Sequence, residues 1–116
     1  MYNVIFFGPP GAGKGTQAKI ISNLLGLSHL STGEILRNKI LDNDNLAFKL
    51  KNIMSSGKLV SDEILNRIVA SRLHNETQSG FILDGYPRTL AQAEFLNKFL
   101  LNSSKKIDYI FNIYIN

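Results

Sequence analysis

Residues 8–16 read Gly-Pro-Pro-Gly-Ala-Gly-Lys-Gly-Thr, and this stretch decides the fold. It follows an apolar run at residues 2–7, whose β-branched and aromatic side chains predict a buried strand. It precedes residues 17–25, where apolar side chains recur at helical spacing. A strand, a glycine-rich loop and a helix in this order predict a phosphate-binding loop. The glycines let backbone N–H groups converge on an anion, and the helix N-terminus and Lys14 add positive charge.

The loop departs from the usual phosphate-binding pattern at one position. That pattern is glycine, four residues, glycine, lysine, and then serine or threonine. Gly8, Gly13 and Lys14 fit it, but Gly15 stands where the hydroxyl is expected, and Thr16 follows. One residue on a helix is a rotation of about 100°, so we expect Mg²⁺ to be held largely through water and phosphate oxygens. The alternative is a glycine-rich turn with an incidental lysine.

Size and composition predict one modest soluble domain. The chain has 116 residues, 44% of them hydrophobic, and no cysteine. Disulfides are therefore excluded, and a cytoplasmic location is expected. No apolar run approaches the ~20 residues of a membrane span, and we expect no signal peptide, because a strand begins at the N-terminus. The net charge of +4 comes from scattered lysines, which favours small polyanionic ligands over nucleic acid.

Hydrophobic periodicity and turn residues predict four strands and five helices. The strands are expected at residues 2–7, 27–31, 81–84 and 109–115. Ser31 and Glu34 have the spacing of a capping box for the second helix, and Ser61 is expected to cap the fourth. Alternating strands and helices indicate an α/β fold, with a parallel sheet covered on both faces. Ligands of such sheets bind at the carboxyl ends of the strands, where the glycine loop, Asp84 and Arg88 would meet.

Asp84 and Arg88 extend the candidate site beyond the loop. Asp84 closes the third predicted strand, where a phosphate-loop protein places the acidic residue that organises Mg²⁺ and its waters. A turn-capping aspartate is the alternative. Arg88 lies in the loop that follows, where its guanidinium can bridge phosphate oxygens; a surface ion pair is the alternative. His29 and His74 have no carboxylate or ligand partner at a telling spacing, and no function is assigned to them.

Four blocks of the sequence strongly resemble adenylate kinase. They are Gly-Pro-Pro-Gly-Ala-Gly-Lys-Gly-Thr-Gln (8–17), Leu-Ser-Thr-Gly-Glu-Ile-Leu-Arg (30–37), Gly-Lys-Leu-Val-Ser-Asp-Glu (57–63) and Leu-Asp-Gly-Tyr-Pro-Arg-Thr-Leu-Ala-Gln-Ala (83–93). The resemblance implies the P-loop nucleoside-kinase fold and reversible, Mg²⁺-dependent phosphoryl transfer from ATP to AMP, giving two ADP. It also implies a core of residues 1–30 and 61–116 and a mobile AMP-binding lobe of residues 31–60.

The resemblance implies a role for each matching residue. Those that would bind the ATP phosphates are Gly11, Ala12, Gly13, Lys14, Gly15 and Thr16. Those that would bind AMP are Thr32, Arg37, Lys58, Leu59, Val60, Gly85, Tyr86, Pro87, Arg88 and Gln92. Lys14, Arg37 and Arg88 would be the catalytic residues, and Asp84 would hold Mg²⁺ through water. The alternatives are structural: Thr32 at a helix start, Gln92 in a capping box with Thr89 at the start of the fifth helix, Arg37 solvated, and Met54 and Val60 in the core.

Two positions indicate which base the nucleotide that accepts the phosphoryl group carries. Relatives that prefer UMP and CMP usually carry alanine in place of Thr32 and asparagine in place of Gln92, so this chain resembles an AMP kinase. An amide at position 92 can donate and accept at once, as the adenine edge requires. A UMP/CMP-type kinase and a non-catalytic nucleotide-binding module are the alternative interpretations.

The chain departs from the family in length. Such kinases are nearly twice as long, and after the fourth strand they carry an ATP lid, a fifth strand and a C-terminal helix. Their lid arginines clamp the transferring phosphate, whereas this chain has no arginine after Arg88. Because such clamps contribute about 10³–10⁵ in rate, we expect an N-terminal part that binds nucleotide but turns over poorly. The whole protein would be a monomer, and the uncovered strand at residues 110–115 would invite self-association of the fragment.

Overall fold

The computed structural model describes residues 2–9, 13–75 and 80–112. In these ranges the strands are β1 (Tyr2–Phe7), β2 (Ser28–Ser31), β3 (Gly80–Asp84) and β4 (Tyr109–Asn112). The helices are α1 (Lys14–Leu25), α2 (Thr32–Ile40), α3 (Asn45–Ser55), α4 (Asp62–Asn75) and α5 (Leu90–Asn102). The predicted number and order of elements are confirmed. The last residues predicted for the fourth strand lie outside the described ranges.

The four strands form one parallel sheet in the order β2-β3-β1-β4. The first strand of the chain is therefore an interior strand, and Val4 lies between Ile82 on one side and Tyr109 on the other. β3 is buried along its whole length, as expected for an interior strand of a sheet that is covered on both faces. Because all strands run the same way, their carboxyl ends meet at one edge of the sheet.

Alternate residues of the strands enter two separate apolar cores, one on each face of the sheet. Val4, Phe6 and Ile82 pack on one face with Ala18 of α1 and with Leu27. The core on the opposite face is larger and joins the sheet to helices α2 to α5. Its strand members are Ile5, Leu30, Phe81 and Leu83, and its helix members include Ile35, Leu50, Ile68, Val69, Leu96 and Leu100. The predicted covering of both faces by helices is confirmed.

Three helices begin at a side-chain cap, and one predicted cap is wrong. Asp44 accepts a hydrogen bond from the Ala47 N–H (2.8 Å), and Ser61 accepts one from the Ile64 N–H (3.3 Å). Thr89 caps α5 in the same way. Ser31 occupies the predicted N-cap position of α2 with extended backbone, as N-cap residues usually do, but its side chain makes no cap hydrogen bond. The capping box with Glu34 therefore does not form.

Apolar side chains remain exposed at β4 and on α1. Tyr109, Ile110 and Phe111 are exposed by 53%, 62% and 43%, so the prediction of an uncovered apolar strand is confirmed for the described part of it. On α1, Leu24 and Leu25 are also exposed, by 78% and 51%. None of the helices in the described ranges has the length and apolarity that crossing a membrane requires.

Candidate nucleotide-binding site

The carboxyl edge of the sheet brings several of the predicted site residues together. In the sheet, Asp84 lies beside Phe6 on one side and Ser31 on the other, so the chain that leaves β1 and the start of α2 flank the same carboxylate. Gly13 precedes α1 with φ of 79°, a left-handed conformation that glycine adopts without a steric penalty. Gly11 and Ala12, two of the predicted phosphate-binding residues, lie outside the described residues.

Asp84 is a buried carboxylate with two basic partners. The ammonium of Lys14, at the start of α1, pairs with Oδ1 of Asp84. Nε2 of His29 lies 3.0 Å from Oδ2. Only 6% of Asp84 is exposed, and a buried carboxylate needs such partners to remain charged. The predicted convergence of Lys14 and Asp84 is therefore present in the structure.

The interpretation that His29 has no carboxylate partner is wrong. His29 lies beside Ile82 in the sheet, and Asp84 comes two residues later on the same face of β3. Diagonal neighbours of this kind come within reach of long side chains. The pairing of β2 with β3 creates the contact, and sequence spacing alone does not reveal which strands are neighbours.

Asp84 offers oxygen ligands of the kind that Mg²⁺ uses. Among the described residues, no group of three or more histidine or acidic side chains is placed to hold a metal. Mg²⁺ commonly binds through one or two carboxylates, substrate phosphates and several waters, so a single carboxylate beside a phosphate loop fits this ion. Thr16 is exposed on the first turn of α1 and adds a hydroxyl near the same loop.

Thr32, Gly85 and Arg88 meet directly beside Asp84. The Thr32 hydroxyl donates a hydrogen bond to the backbone carbonyl of Asp84 (3.1 Å). Gly85 has φ of +92°, and a Cβ there would lie 3.1 Å from Thr32 Oγ1 and 3.5 Å from Arg88 Nη2. A side chain at position 85 would therefore be both strained and crowded. Three predicted AMP-binding residues, Thr32 on α2 and Gly85 and Arg88 in the loop after β3, therefore lie close together.

The other predicted arginine lies over the first turn of α2. A Cβ added to Gly33 would come 3.2 Å from Nη1 of Arg37, so the guanidinium covers the backbone of that turn. Arg37 and Arg88 are both exposed. Exposed guanidinium groups on α2 and on the loop after β3 are available to phosphate oxygens.

The link between α3 and α4 carries three of the predicted AMP-binding residues, and two of the three are exposed. Lys58 is exposed, and Leu59 is 94% exposed. Val60 is half-buried and packs against the larger core. Met54 is 40% exposed, so its alternative as a core residue is not supported.

Tyr86 and Pro87 are buried and fasten their loop to the helices. The Tyr86 hydroxyl donates to Oδ1 of Asn66 on α4 (2.6 Å), and Tyr86 is fully buried. Burial raises the pKa of the Tyr86 hydroxyl above its usual range, and the nearby Asp62 carboxylate raises it further. The peptide bond between Tyr86 and Pro87 is cis. This loop is thus held by the packed interior of the molecule.

Gln92 is buried, and its backbone N–H and both polar atoms of its side-chain amide make hydrogen bonds. Its backbone N–H donates to the Thr89 hydroxyl (3.1 Å), which is the predicted cap of α5. Its side-chain Oε1 accepts from the Arg88 N–H (2.6 Å), and its Nε2 donates to Oδ1 of Asp62 (2.8 Å). In a full capping box the Gln92 side chain would bond to the Thr89 N–H, so only half of the predicted box forms. Sequence reasoning missed Asp62 and Asn66, since only the packing of α4 on α5 brings them to this loop.

A cleft of about 540 Å³ opens between α2 and α4, away from these residues. Its walls include Lys39, Asp42 and Asp44. Lys39 bridges the two carboxylates at 3.2 Å and 2.7 Å, and this contact lowers the pKa of Asp44 and raises that of Lys39. None of the predicted site residues lines the cleft, so the candidate site is defined by its chemistry at the sheet edge.

Fold and site together define the class of protein. A parallel sheet, a glycine at the start of the helix that follows β1, and a lysine of that helix paired with the acid at the end of β3 are the features of a P-loop α/β protein. The family model for adenylate kinase matches residues 6–116. The chain therefore belongs to the adenylate kinase family.

Individual relatives agree with this assignment. The chain is 51% identical over 109 residues to an adenylate kinase of Thermotoga petrophila, and the alignment covers 92% of this chain and 50% of that protein. It is 49% identical over 114 residues to an adenylate kinase of Archaeoglobus fulgidus, with 97% and 52% covered. The chain spans about half the length of the curated relatives it matches.

Proposed function

We propose that this chain is the nucleotide-binding part of an adenylate kinase, which transfers a phosphoryl group reversibly from ATP to AMP and forms two ADP. The observation that carries the proposal is the convergence of Lys14, Thr32 and Asp84 at the carboxyl edge of the sheet. Membership of the adenylate kinase family supports the reaction class. The absence of cysteine is compatible with a cytoplasmic location.

On the donor side, Lys14 and the backbone N–H groups of residues 11–16 bind the phosphates of ATP. Lys14 already pairs with Asp84, so phosphate oxygens compete with this carboxylate for the ammonium. Asp84 and Thr16 are the oxygen groups that this chain offers to Mg²⁺, which when bound neutralises charge on the ATP phosphates.

On the acceptor side, Arg37 and Arg88 bind the phosphate of AMP and orient it for in-line transfer. Thr32 and Gln92 contact the nucleoside, with the backbone of residues 58–60 beside them. The lobe of residues 31–60 contains α2 and α3, which pack against each other, and its closure excludes water from the reacting groups. No covalent intermediate is needed, since phosphoryl transfer depends on alignment and charge neutralisation.

This chain binds its nucleotides but converts them slowly to ADP. Its length is half that of its relatives, and it has no arginine after Arg88. Arginine clamps on the transferring phosphate contribute about 10³–10⁵ in rate. The chain alone therefore binds ATP and AMP and forms ADP at least about 10³-fold more slowly than a complete relative.

Calorimetry and a coupled ADP assay test this proposal. ATP and AMP should each bind the wild-type chain, with AMP preferred over UMP and CMP. Lys14→Met should remove ATP binding, while Lys19→Met, a change of an exposed lysine on the same helix, should leave it intact. Failure of the wild-type chain to bind AMP, or a preference for UMP, would refute the proposal. ADP production at the rate of a complete relative would contradict the slow turnover proposed for this chain.

A further inference from the structure

We infer that Asp62 is a positioning residue that determines base specificity, because it fixes the orientation of the Gln92 carboxamide and so selects a 6-aminopurine over a 6-oxopurine. This rests on the proposed function, in which Gln92 contacts the acceptor base. Asp62 stands on the first turn of α4, and the proposed function gives it no contact with either substrate.

Hydrogen bonds hold both polar atoms of the Gln92 carboxamide. Nε2 donates to Oδ1 of Asp62 (2.8 Å), and Oε1 accepts from the backbone N–H of Arg88 (2.6 Å). The other oxygen of Asp62 accepts from the Thr89 hydroxyl (3.1 Å), which steadies the carboxylate. Gln92 is only 4% exposed, so water cannot readily replace either amide partner.

These partners allow only one orientation of the amide. An ionised carboxylate only accepts hydrogen bonds, and a backbone N–H only donates them. Turning the Gln92 amide over would set Oε1 against the Asp62 carboxylate and Nε2 against the Arg88 N–H. Both hydrogen bonds would be replaced by repulsive contacts, and a buried polar group without a partner is strongly disfavoured.

A fixed amide distinguishes two classes of purine. After these bonds, the Gln92 amide retains one N–H on the Asp62 side and one lone pair on the Arg88 side. Adenine offers a donor at N6 and an acceptor at N1, whereas a 6-oxopurine offers an acceptor at O6 and a donor at N1. With the phosphate held by the arginines, the base cannot shift to compensate. A 6-oxopurine would therefore require the reversed amide, which Asp62 opposes.

Asp62→Asn removes this restraint and preserves shape. An asparagine amide at position 62 can either accept from Gln92 or donate to it, so it tolerates both orientations. The Arg88 N–H still favours the original orientation of the Gln92 amide, so one of the two restraints on that orientation remains. Glu63→Gln is the matched control, because Glu63 is an exposed carboxylate on the same first turn and the charge change is identical.

The test compares the affinities of the 116-residue chain for AMP and IMP by calorimetry. IMP has the 6-oxopurine edge without the additional amino group of GMP. The wild-type chain should bind AMP at least about 100-fold more tightly than IMP, and Asp62→Asn should narrow that ratio about tenfold or more. Glu63→Gln should leave the ratio unchanged. Asp62→Ser, whose hydroxyl also donates and accepts, should narrow the ratio as well and serves as the second variant.

The outcomes separate this inference from the proposed function. If Asp62→Asn and Asp62→Ser weaken AMP and IMP equally, Asp62 is only structural and the inference is overturned. A wild-type chain that binds IMP as well as AMP overturns the inference while adenylate binding stands. A wild-type chain that binds neither nucleotide overturns the proposed function and the inference with it.

Discussion

Asp84 is a buried carboxylate that contacts three other parts of the candidate site. Its two oxygens meet Lys14 and His29, and its backbone carbonyl accepts from Thr32. One residue thereby joins the start of α1, strand β2 and the start of α2. Removing one partner of a buried ion pair leaves an uncompensated charge, which is more harmful than removing both.

Lys14→Met should therefore lower the free energy of unfolding by about 2 kcal/mol, below the value for a fully buried pair because Lys14 is partly exposed. Adding Asp84→Asn should recover part of the loss, since the buried charge is then gone. Urea denaturation of both single variants and the double variant measures the coupling. Strictly additive losses would show that the two side chains do not interact.

Tyr86→Phe should lower the free energy of unfolding by about 1–2 kcal/mol, because Oδ1 of Asn66 loses its buried donor. The wild-type hydroxyl has a pKa raised by burial in the folded state, so the unfolded chain releases its proton first. Its stabilising contribution is complete below about pH 10 and is lost as the pH rises above that value. The difference in stability between wild type and Tyr86→Phe should thus be constant up to about pH 9 and should shrink as the pH rises from about 10 to about 11. A difference that is constant over this range would contradict the assigned burial.

The local sequence predicted the order of helices and strands better than it predicted the contacts between them. The order of strands and helices follows from periodicity and turn residues, which are local. The order of strands in the sheet is not local, and the contact between His29 and Asp84 depends on it. The bond between Asp62 and Gln92 likewise depends on how α4 packs on α5. Ser31 stands at the predicted N-cap position, but its side chain makes no cap hydrogen bond, which local spacing did not reveal.

Gly80 shows how closely β3 and β1 approach. It has φ of +83°, and a Cβ there would lie 2.1 Å from the backbone oxygen of Tyr2. Gly80→Ala should therefore lower the free energy of unfolding by on the order of 3 kcal/mol or more, since backbone cannot move aside as a side chain can. Gly57 has φ of +76° with nothing within 4 Å of an added Cβ, so Gly57→Ala should lower it by only about 1 kcal/mol. Equal losses in urea denaturation would show that β3 can shift away from β1.

At the scale of the whole molecule, the sheet ends in a strand whose apolar side chains meet solvent. β4 lies at one end of the strand order, with β1 as its partner, and its apolar side chains are exposed. An edge strand of this composition favours association with another chain. The family relatives are about twice as long, and we expect the isolated chain to use this edge for self-association.

Ile110→Lys should shift the isolated chain toward the monomer, because Ile110 is 62% exposed on β4 and a charged edge strand resists pairing. Sedimentation velocity at increasing protein concentration measures the effect. Leu41→Lys is the control, since Leu41 is 75% exposed but lies at the end of α2, away from the sheet edge. An equal shift for both variants would attribute the association to general surface hydrophobicity.

The sheet order also decides when the site can form during folding. Of the four strands, β1 leaves the ribosome first, yet its two neighbours are β3 and β4, with Val4 beside Ile82 and Tyr109. Pairings so distant along the chain close slowly, because much of the chain must be ordered before they contribute. The apolar residues of β1 therefore stay unpaired until β3 and β4 have been synthesised, and exposed apolar segments of this kind make chains prone to aggregate. Of the four strands, the one that leads into the phosphate loop is paired on both sides only after β4 has formed, so we expect the site residues at the ends of β1 and β3 to come together late in folding.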